Sequence, residues 1–457
     1  MDAQNFIPNR GIISKKIGDF SYAHSTLQSL SCLDILYEIT NQNQSIQCLP
    51  NNSLTKDFFC LLYNLYNIPN DYAYSNALID NFEKMYYKNK ENITSQNVLN
   101  HDPFHFLYFL LQFMHIEINN PMNPNYNISI LSNQTIQNQQ NDSHMFQIFY
   151  DFYSNTQNSL ISDNFYNVEK HTFNCQKCGL FYFYNMKNIF RIDINRALFY
   201  RNSLPNNNGG YLTLYEMFDY YFSPHQTNCK NCKNCNNCNN LGDEAIKISV
   251  HNRVLIVNIN RNSHNQNFNN DLNFDININM KKYIDNEFGF YIYSLKSFIA
   301  FNGKYISFCF INKKWYKYID NNGLEVQDIN ELYQFEPQIL IYEKANQNNN
   351  INQFNNNIQL NNNLNFNNNN NYNNNNNLNN NHLSNSAGAP FSRINNSSFD
   401  NNIINNNGHN CVSNKNNNIF FQNISAIKPN FQMNNFDISS KLDPTVLSLI
   451  NEMGKDS

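Results

Sequence analysis

The sequence holds no block of Lys or Arg, and its 31 basic and 35 acidic side chains leave a net charge of -4. Surfaces for nucleic acid or anionic membrane need concentrated positive charge to displace counterions, so neither partner is expected. The opening residues, MDAQNFIPNR, lack the basic flank and apolar core of a signal peptide. No apolar run reaches the length that a spanning helix needs. The expectation is a soluble, intracellular protein, cytoplasmic or nuclear, whose partners are other proteins. In that reducing setting its 11 cysteines read as zinc ligands or free thiols, not as disulfides.

What is present falls into two compositional regimes. From the N-terminus to about residue 345, Phe, Tyr, Leu and Ile are dense enough to bury the core of one large or two ordinary domains. From Gln347 to Asn435 asparagine takes over, and such a tract cannot bury enough apolar surface to offset its ordering entropy. It reads as a disordered tether, with self-association through amide ladders as the alternative. Beyond it, in LDPTVLSLINEMG, Asp443 can cap a helix, Pro444 suits its first position and Gly454 ends it. Val446, Leu449, Ile450 and Met453 would share one face, either to dock into a partner's groove or to fold back on the domain. The chain thus divides into a globular domain over 1–346, an Asn-rich disordered region over 347–435 and a short amphipathic helix within 436–457.

Within the globular part helical patterns come first and strand patterns later. Tyr22 to Glu38 reads as one helix, with Ala23, Leu27 and Leu30 on one face. His101 to His115 has Asp102 or Asn100 as cap, Pro103 in its first turn and apolar residues nearly all round, so it should be buried on several sides. Ile246 to Val250 alternates, Val254 to Val257 is a short apolar run, and Tyr305 to Ile311 stands just before WYKYI; these read as strands. Trp315 and Tyr316 read as core aromatics of such a strand. Helices followed by a largely antiparallel sheet indicate an α+β fold.

Cys175-x-x-Cys178 and Cys229-x-x-Cys232 are two knuckles whose thiolates can meet tetrahedrally around one structural zinc ion. Cys235 and Cys238 continue the second knuckle, so which adjacent pair there would ligate stays open. Zinc in finger peptides contributes roughly 10 to 16 kcal/mol, as large as the net stability of a domain.

Three blocks, taken in order with the knuckles, resemble the ubiquitin-specific proteases, the papain-like ubiquitin carboxyl-terminal hydrolases. GDFSYAHSTLQSL, from Gly18 to Leu30, resembles that family's GNTCYMNSVLQCL box. HDPFHFLYFLLQFMH is similar to its QDAHEFLRFLLDGLH helix, and NGKYISFCFINKKWYKYID resembles GGHYTAYV followed by WYxFDD. The likeness spans most of residues 11 to 344 and places the knuckles where the family carries its zinc-bearing fingers. It implies a helical thumb, a stranded palm, and fingers that cradle ubiquitin while the ubiquitin tail runs through a cleft.

In the family a Cys at the start of the first helix attacks the carbonyl after that tail, a His from a palm strand takes its proton, and an Asp or Asn orients the His. Here the matching positions are Ser21, Lys304 and Ile319, with Asp320 one residue late, and the oxyanion-stabilising position is Lys16. No Gly-His-Tyr or Cys-Tyr pair occurs elsewhere in the chain to replace them. Loss of the triad in one well-studied hydrolase lowers turnover roughly a millionfold, so no ordinary deubiquitinase activity is expected. A Ser21–Lys304 dyad is the sharper alternative to decay. Asp102 and Tyr305 match positions that the resemblance assigns to contacts with the ubiquitin tail, with His105 where an acidic neighbour of Asp102 usually stands.

Other residues read more plainly. Cys32 and Cys60, set in apolar helices, read as core thiols, and His24, His105 and His115 as satisfied or exposed histidines near the cleft. The sequence therefore suggests an inactive homologue that binds ubiquitin or another protein. An alternative is a scaffold resembling the pseudo-protease module of the poly(A) deadenylase catalytic subunit, whose first helix is similar. An active deubiquitinase is the third reading.

Overall fold

In the computed structural model the described residues run from Gly11 to Lys344, except 16–18, 43–48, 69–72, 90–100, 121–140, 176, 178, 206–209, 229–240, 262–271, 286–290 and 320–321. They belong to one compact unit. The Asn-rich tract and the expected C-terminal helix lie outside the described residues.

The helical side begins with β1 (Ile12–Ile13), α1 (Ser21–Leu30), α2 (Asp34–Gln42), α3 (Leu54–Asn67), β2 (Ala73–Tyr74), α4 (Asn76–Asn89) and α5 (Pro103–Ile118). β1 and β2 pair in parallel. Twelve of the sixteen residues of α5 are buried, so this apolar helix runs through the middle of the helical core, as its sequence requires. Its Asp102 is the N-cap, accepting from the backbone N–H groups of Phe104 and His105 at 2.8 and 3.1 Å. Near its other end, Glu117 reaches the start of α3 and accepts from the N–H groups of Leu54 and Thr55 at 3.0 and 2.8 Å.

The expected helix from Tyr22 to Glu38 is two helices. The break at Ser31–Leu33 is held by a group remote in sequence: Glu343 accepts from the N–H groups of Asp34 and Ile35 at 2.9 and 3.0 Å and so supplies the N-terminus of α2. Cys60 also departs from expectation. It is exposed, because it shares with Tyr63, Asn64 and Asn67 the solvent stripe of α3, opposite Phe59, Leu62 and Leu65.

The chain continues through α6 (Asp142–Thr156), α7 (Leu160–Phe165), β3 (Asn167–Cys175), β4 (Gly179–Lys187), β5 (Phe190–Asp193), α8 (Ile194–Ser203), β6 (Leu212–Thr213), α9 (Leu214–Phe222), β7 (His225–Asn228) and β8 (Leu241–Val250). It then forms β9 (Val254–Asn260), β10 (Leu272–Asn273), β11 (Asn277–Asn279), β12 (Ile292–Phe301), β13 (Tyr305–Ile311), β14 (Lys314–Ile319), β15 (Asn322–Glu325) and β16 (Pro337–Lys344).

The larger sheet has the order β15-β14-β13-β12-β16-β9-β5, with β11 also paired to β12. It is antiparallel except for β5 beside β9. Period-2 alternation gives it two buried faces. Ile256, Ile339, Ile341, Cys309 and Tyr318 pack toward the helices. Leu255, Leu340, Tyr342, Phe308 and Trp315 pack on the opposite side with α9. Trp315 and its neighbour Tyr316 therefore serve different cores, each 7% exposed. A second, antiparallel sheet has the order β4-β3-β8-β7. It corresponds to the fingers, and together the elements make the expected α+β arrangement of thumb, palm and fingers.

Candidate functional site

α1 places the site because one of its faces carries Ser21, His24, Ser25 and Gln28 at the i, i+3, i+4, i+7 spacing of neighbours. The opposite face, with Ala23, Leu27 and Leu30 fully buried, fastens the helix into the core. β13 runs against α1 and contributes Tyr305 and Ser307, and β14 contributes Tyr318, which pairs with Ser307. These seven residues line a small cavity with room for about one water molecule.

Ser21 is 8% exposed. Its backbone N–H donates to Asp19 Oδ1 at 2.9 Å, and its Oγ accepts from the backbone N–H of Tyr305 at 3.3 Å. The hydrogen bonds from the Ser21 backbone and side chain, with the positive charge of Lys304 and the nearness of His101, hold the Asp19 carboxyl below its ordinary range despite some burial. Lys304 is exposed and follows Gly303, whose φ of +73° allows the tight β12–β13 turn. Ile319 ends β14 and is 39% exposed. Neither Lys304 nor Ile319 lines the cavity. Lys16 and Asp320 lie outside the described residues.

The structure thus brings Ser21 and Tyr305 together, with Lys304 beside Asp19. Residues that sequence reasoning did not place there are Asp19, Ser25, Gln28, Ser307 and Tyr318. Gln28 shares a helix face with Ser21, so its spacing was the available signal; Ser307 comes in only through the packing of β13. Both are buried, at 2% and 1% exposure, and neither Gln28 Oε1 nor Ser307 Oγ finds a hydrogen-bond partner among the described residues.

Neither described thiol near this wall suits nucleophilic work. Cys32 and Cys309 are buried, and both donate to the Gln28 carbonyl, at 3.2 and 3.5 Å. Burial and the neighbouring Cys32 push the Cys309 thiol up, so it stays protonated.

Across the cleft, the Asp102 carboxylate is engaged by its own helix. Oδ1 takes the two capping N–H groups, and Oδ2 pairs closely with His105 Nδ1. Tyr305 lies between Asp102 and Asp19; burial, then these two charges, push its phenol up to about 12. His101 sits edge-on to Tyr22 at 5.2 Å. His115 is buried and bonded at both ring nitrogens, to Ser159 Oγ at 2.7 Å and Gln157 Oε1 at 2.6 Å, which makes it part of the packing.

Of the expected zinc ligands only Cys175 is among the described residues, and Cys178, Cys229 and Cys232 lie outside them. Cys175 is buried at the end of β3 and pairs with Gly179, whose φ of +76° closes a tight turn between the two strands. It also pairs with Gly242 on β8, and Gly242 pairs with Thr227 on β7, two residues before Cys229. The end of β3 and the end of β7 therefore lie at the same end of one sheet, two strands apart, or roughly 10 Å at the usual strand spacing. No group of three or more metal-binding side chains occurs among the described residues.

The family model for ubiquitin carboxyl-terminal hydrolase matches residues 14–342. The chain belongs to that family. Its fold is similar to the yeast SAGA DUB module with a mutant Sgf73, at 16% identity and a TM-score of 0.51, covering 76% of this chain and 70% of that one. It is also similar to the SAGA DUB module of Ubp8, Sgf11, Sus1 and Sgf73 bound to monoubiquitin, at 17% identity and a TM-score of 0.49, covering 76% and 71%. No curated protein sequence matches. No helix among the described residues is long and apolar enough to cross a membrane.

Proposed function

We propose that this chain is a pseudoenzyme of the ubiquitin-specific protease type, which binds ubiquitin or another protein through its cleft and fingers and does not cleave it. The observation that carries this reading is the state of position 21. A family nucleophile is a thiol at a helix N-terminus, activated by a neighbouring imidazole. Ser21 offers instead a hydroxyl whose oxygen accepts the Tyr305 N–H, beside a carboxylate already held by the Ser21 N–H. The position before Tyr305 is an exposed lysine, not an imidazole, and it does not line the cavity beside Ser21. The Ser21–Lys304 dyad thus has little support from this surrounding.

The fingers are read as carrying one structural zinc between Cys175, Cys178 and two cysteines of the 229–238 run, which would tie the two knuckles together. With no basic block for nucleic acid and no membrane-spanning helix among the described residues, proteins remain the partner class.

A second reading, a scaffold that no longer engages ubiquitin, is favoured by one feature. Asp102, the position matched to tail recognition, has its carboxylate occupied by two backbone N–H groups and His105. The test is a pair of measurements on purified full chain. The pseudoenzyme is expected to release no product from a fluorogenic ubiquitin amide and to form no adduct with a thiol-directed ubiquitin probe, yet to shift NMR signals of labelled ubiquitin. Turnover or an adduct abolished by Ser21→Ala would overturn it; silence in all three assays selects the scaffold.

A further inference from the structure

The finger sheet buries an ionisable cluster that packing alone does not require. His171 on β3 is 7% exposed. Its Nδ1 meets Glu244 Oε1 on β8 at 2.7 Å, and its Nε2 faces Glu169 Oε2 at 3.5 Å. The other oxygen of Glu244 lies 3.5 Å from Nε2 of His225 on β7. Glu169, 2% exposed, accepts from the hydroxyl of Tyr221 on α9 at 2.7 Å. From β4, the Phe183 ring stacks on the imidazole with centroids 4.4 Å apart, Asn185 Nδ2 lies 3.4 Å from Nε2, and Lys187 adds a positive charge near Glu169. Among the described residues β7 spans only His225–Asn228, at the edge of the sheet, paired to β8 alone. Besides that pairing, the His225–Glu244 contact ties a side chain of β7 to the sheet.

We propose that His171, Glu244 and His225 form a proton-operated latch. With His171 charged, Glu244 is gripped from both sides and β7 is fastened to β8; with His171 neutral the grip loosens and β7 opens more often. Burial opposes a charge on His171, yet the hydrogen bonds and charges of Glu169 and Glu244 outweigh it and hold its pKa above the ordinary value of 6.5. His225 is raised as well, chiefly by Glu244. Burial opposes ionisation of Glu244, but the two histidines bring its carboxyl down to about 2.

The sign of the pH dependence follows from these directions. A histidine raised in the folded state contributes fully below its unfolded value of about 6.5 and loses that contribution as pH climbs through the raised value. Glu244 contributes fully above its ordinary value and loses its part only as pH falls through about 2. The latch is therefore tight from about 4.5 to 6.5 and loosens above that range. Asn185 follows the switch: its amide nitrogen can donate to neutral His171, whereas the charged ring requires the amide oxygen.

Amide exchange of the full chain, followed from about pH 5.5 to 8.5 and corrected for intrinsic rates, reads the latch. One linked proton makes the opening of β7 and of its paired residues on β8 rise by up to about tenfold per pH unit above 6.5, while α1 and α5 stay level. Glu244→Gln should leave β7 open and flatten that dependence. NMR titration of the His171 ring in the parent protein, which needs no variant to fold, should give a midpoint above 6.5. A midpoint at or below that value, or a β7 opening with the same pH course in the parent and in Glu244→Gln, would overturn the latch.

Discussion

Glu343 ties the helices to the palm, and its replacement has a calculable cost. The carboxylate is 1% exposed. It accepts from the N–H groups of Asp34 and Ile35 and from Arg253 Nε at 2.7 Å. Arg253 in turn donates to both oxygens of Glu38 at 2.8 and 2.9 Å, and Glu38 is 43% exposed. Removing one member of a buried pair costs about 3 to 5 kcal/mol, because the remaining charge stays desolvated. Exposed pairs contribute about 0.2 to 1 kcal/mol. Glu343→Ala should therefore lower unfolding free energy by about 3 to 5 kcal/mol, a large part of a domain's roughly 5 to 15. Glu343→Gln keeps the shape but sets an amide donor against one of three donors, for about 1 to 3 kcal/mol. Glu38→Gln should cost less than about 1 kcal/mol. Urea midpoints of the three variants at neutral pH decide the matter. Equal losses for the two glutamine variants would show that burial does not set the strength of this network, and the reasoning would fail.

Three further outcomes follow from the site and the fingers. Ser21→Cys with Lys304→His restores a thiol at the start of α1 and an imidazole before Tyr305, so a thiol-directed ubiquitin probe should form an adduct that Ser21→Cys alone forms more slowly. Absence of any adduct alongside measured ubiquitin binding would show that position 21 does not face the bound tail. Metal analysis of purified protein should return one zinc per chain, with chelation lowering the melting temperature of the fingers; no bound zinc would reject the knuckle assignment. Gly242→Ala should destabilise the finger sheet by about 1 to 3 kcal/mol, since an added Cβ would stand 2.4 Å from the Phe173 ring and 2.8 Å from the Asn174 carbonyl. A melting curve unchanged from the parent would contradict that packing.

Elements that carry their own signal were legible in the sequence. Tyr305 to Ile311 is rich in β-branched and aromatic residues and stands just before WYKYI, and β13 occupies those residues. Asp102 and Pro103 announced the start of α5, where both take their expected places. What stayed hidden came from groups far apart in the chain. The break between α1 and α2 has no glycine or proline to mark it; it is held by Glu343, more than 300 residues away. The exposure of Cys60 depends on which stripe of α3 meets α5, and an apolar composition such as LTKDFFCLLYNLYN does not settle that register. In the same way Ser307 reads as one polar residue in an apolar strand until α1 is laid against it.

This separation also means that the fold does not depend on which residues stand at positions 21 and 304. The residues of α1 that fasten it, Ala23, Leu27 and Leu30, project to one side and are fully buried. The residues toward the cleft, Ser21, His24 and Gln28, project to the other. A change from sulfur to oxygen at position 21 disturbs no core contact, and a lysine at position 304 sits on an exposed turn where its charge stays in water. Neither substitution belongs to the short list of changes that destabilise a protein severely, such as cavities, buried unpaired charges or lost caps. Asp102 shows the reverse coupling. As the N-cap of α5 it is tied to stability through two backbone N–H groups, so the helix start constrains it even where tail recognition does not.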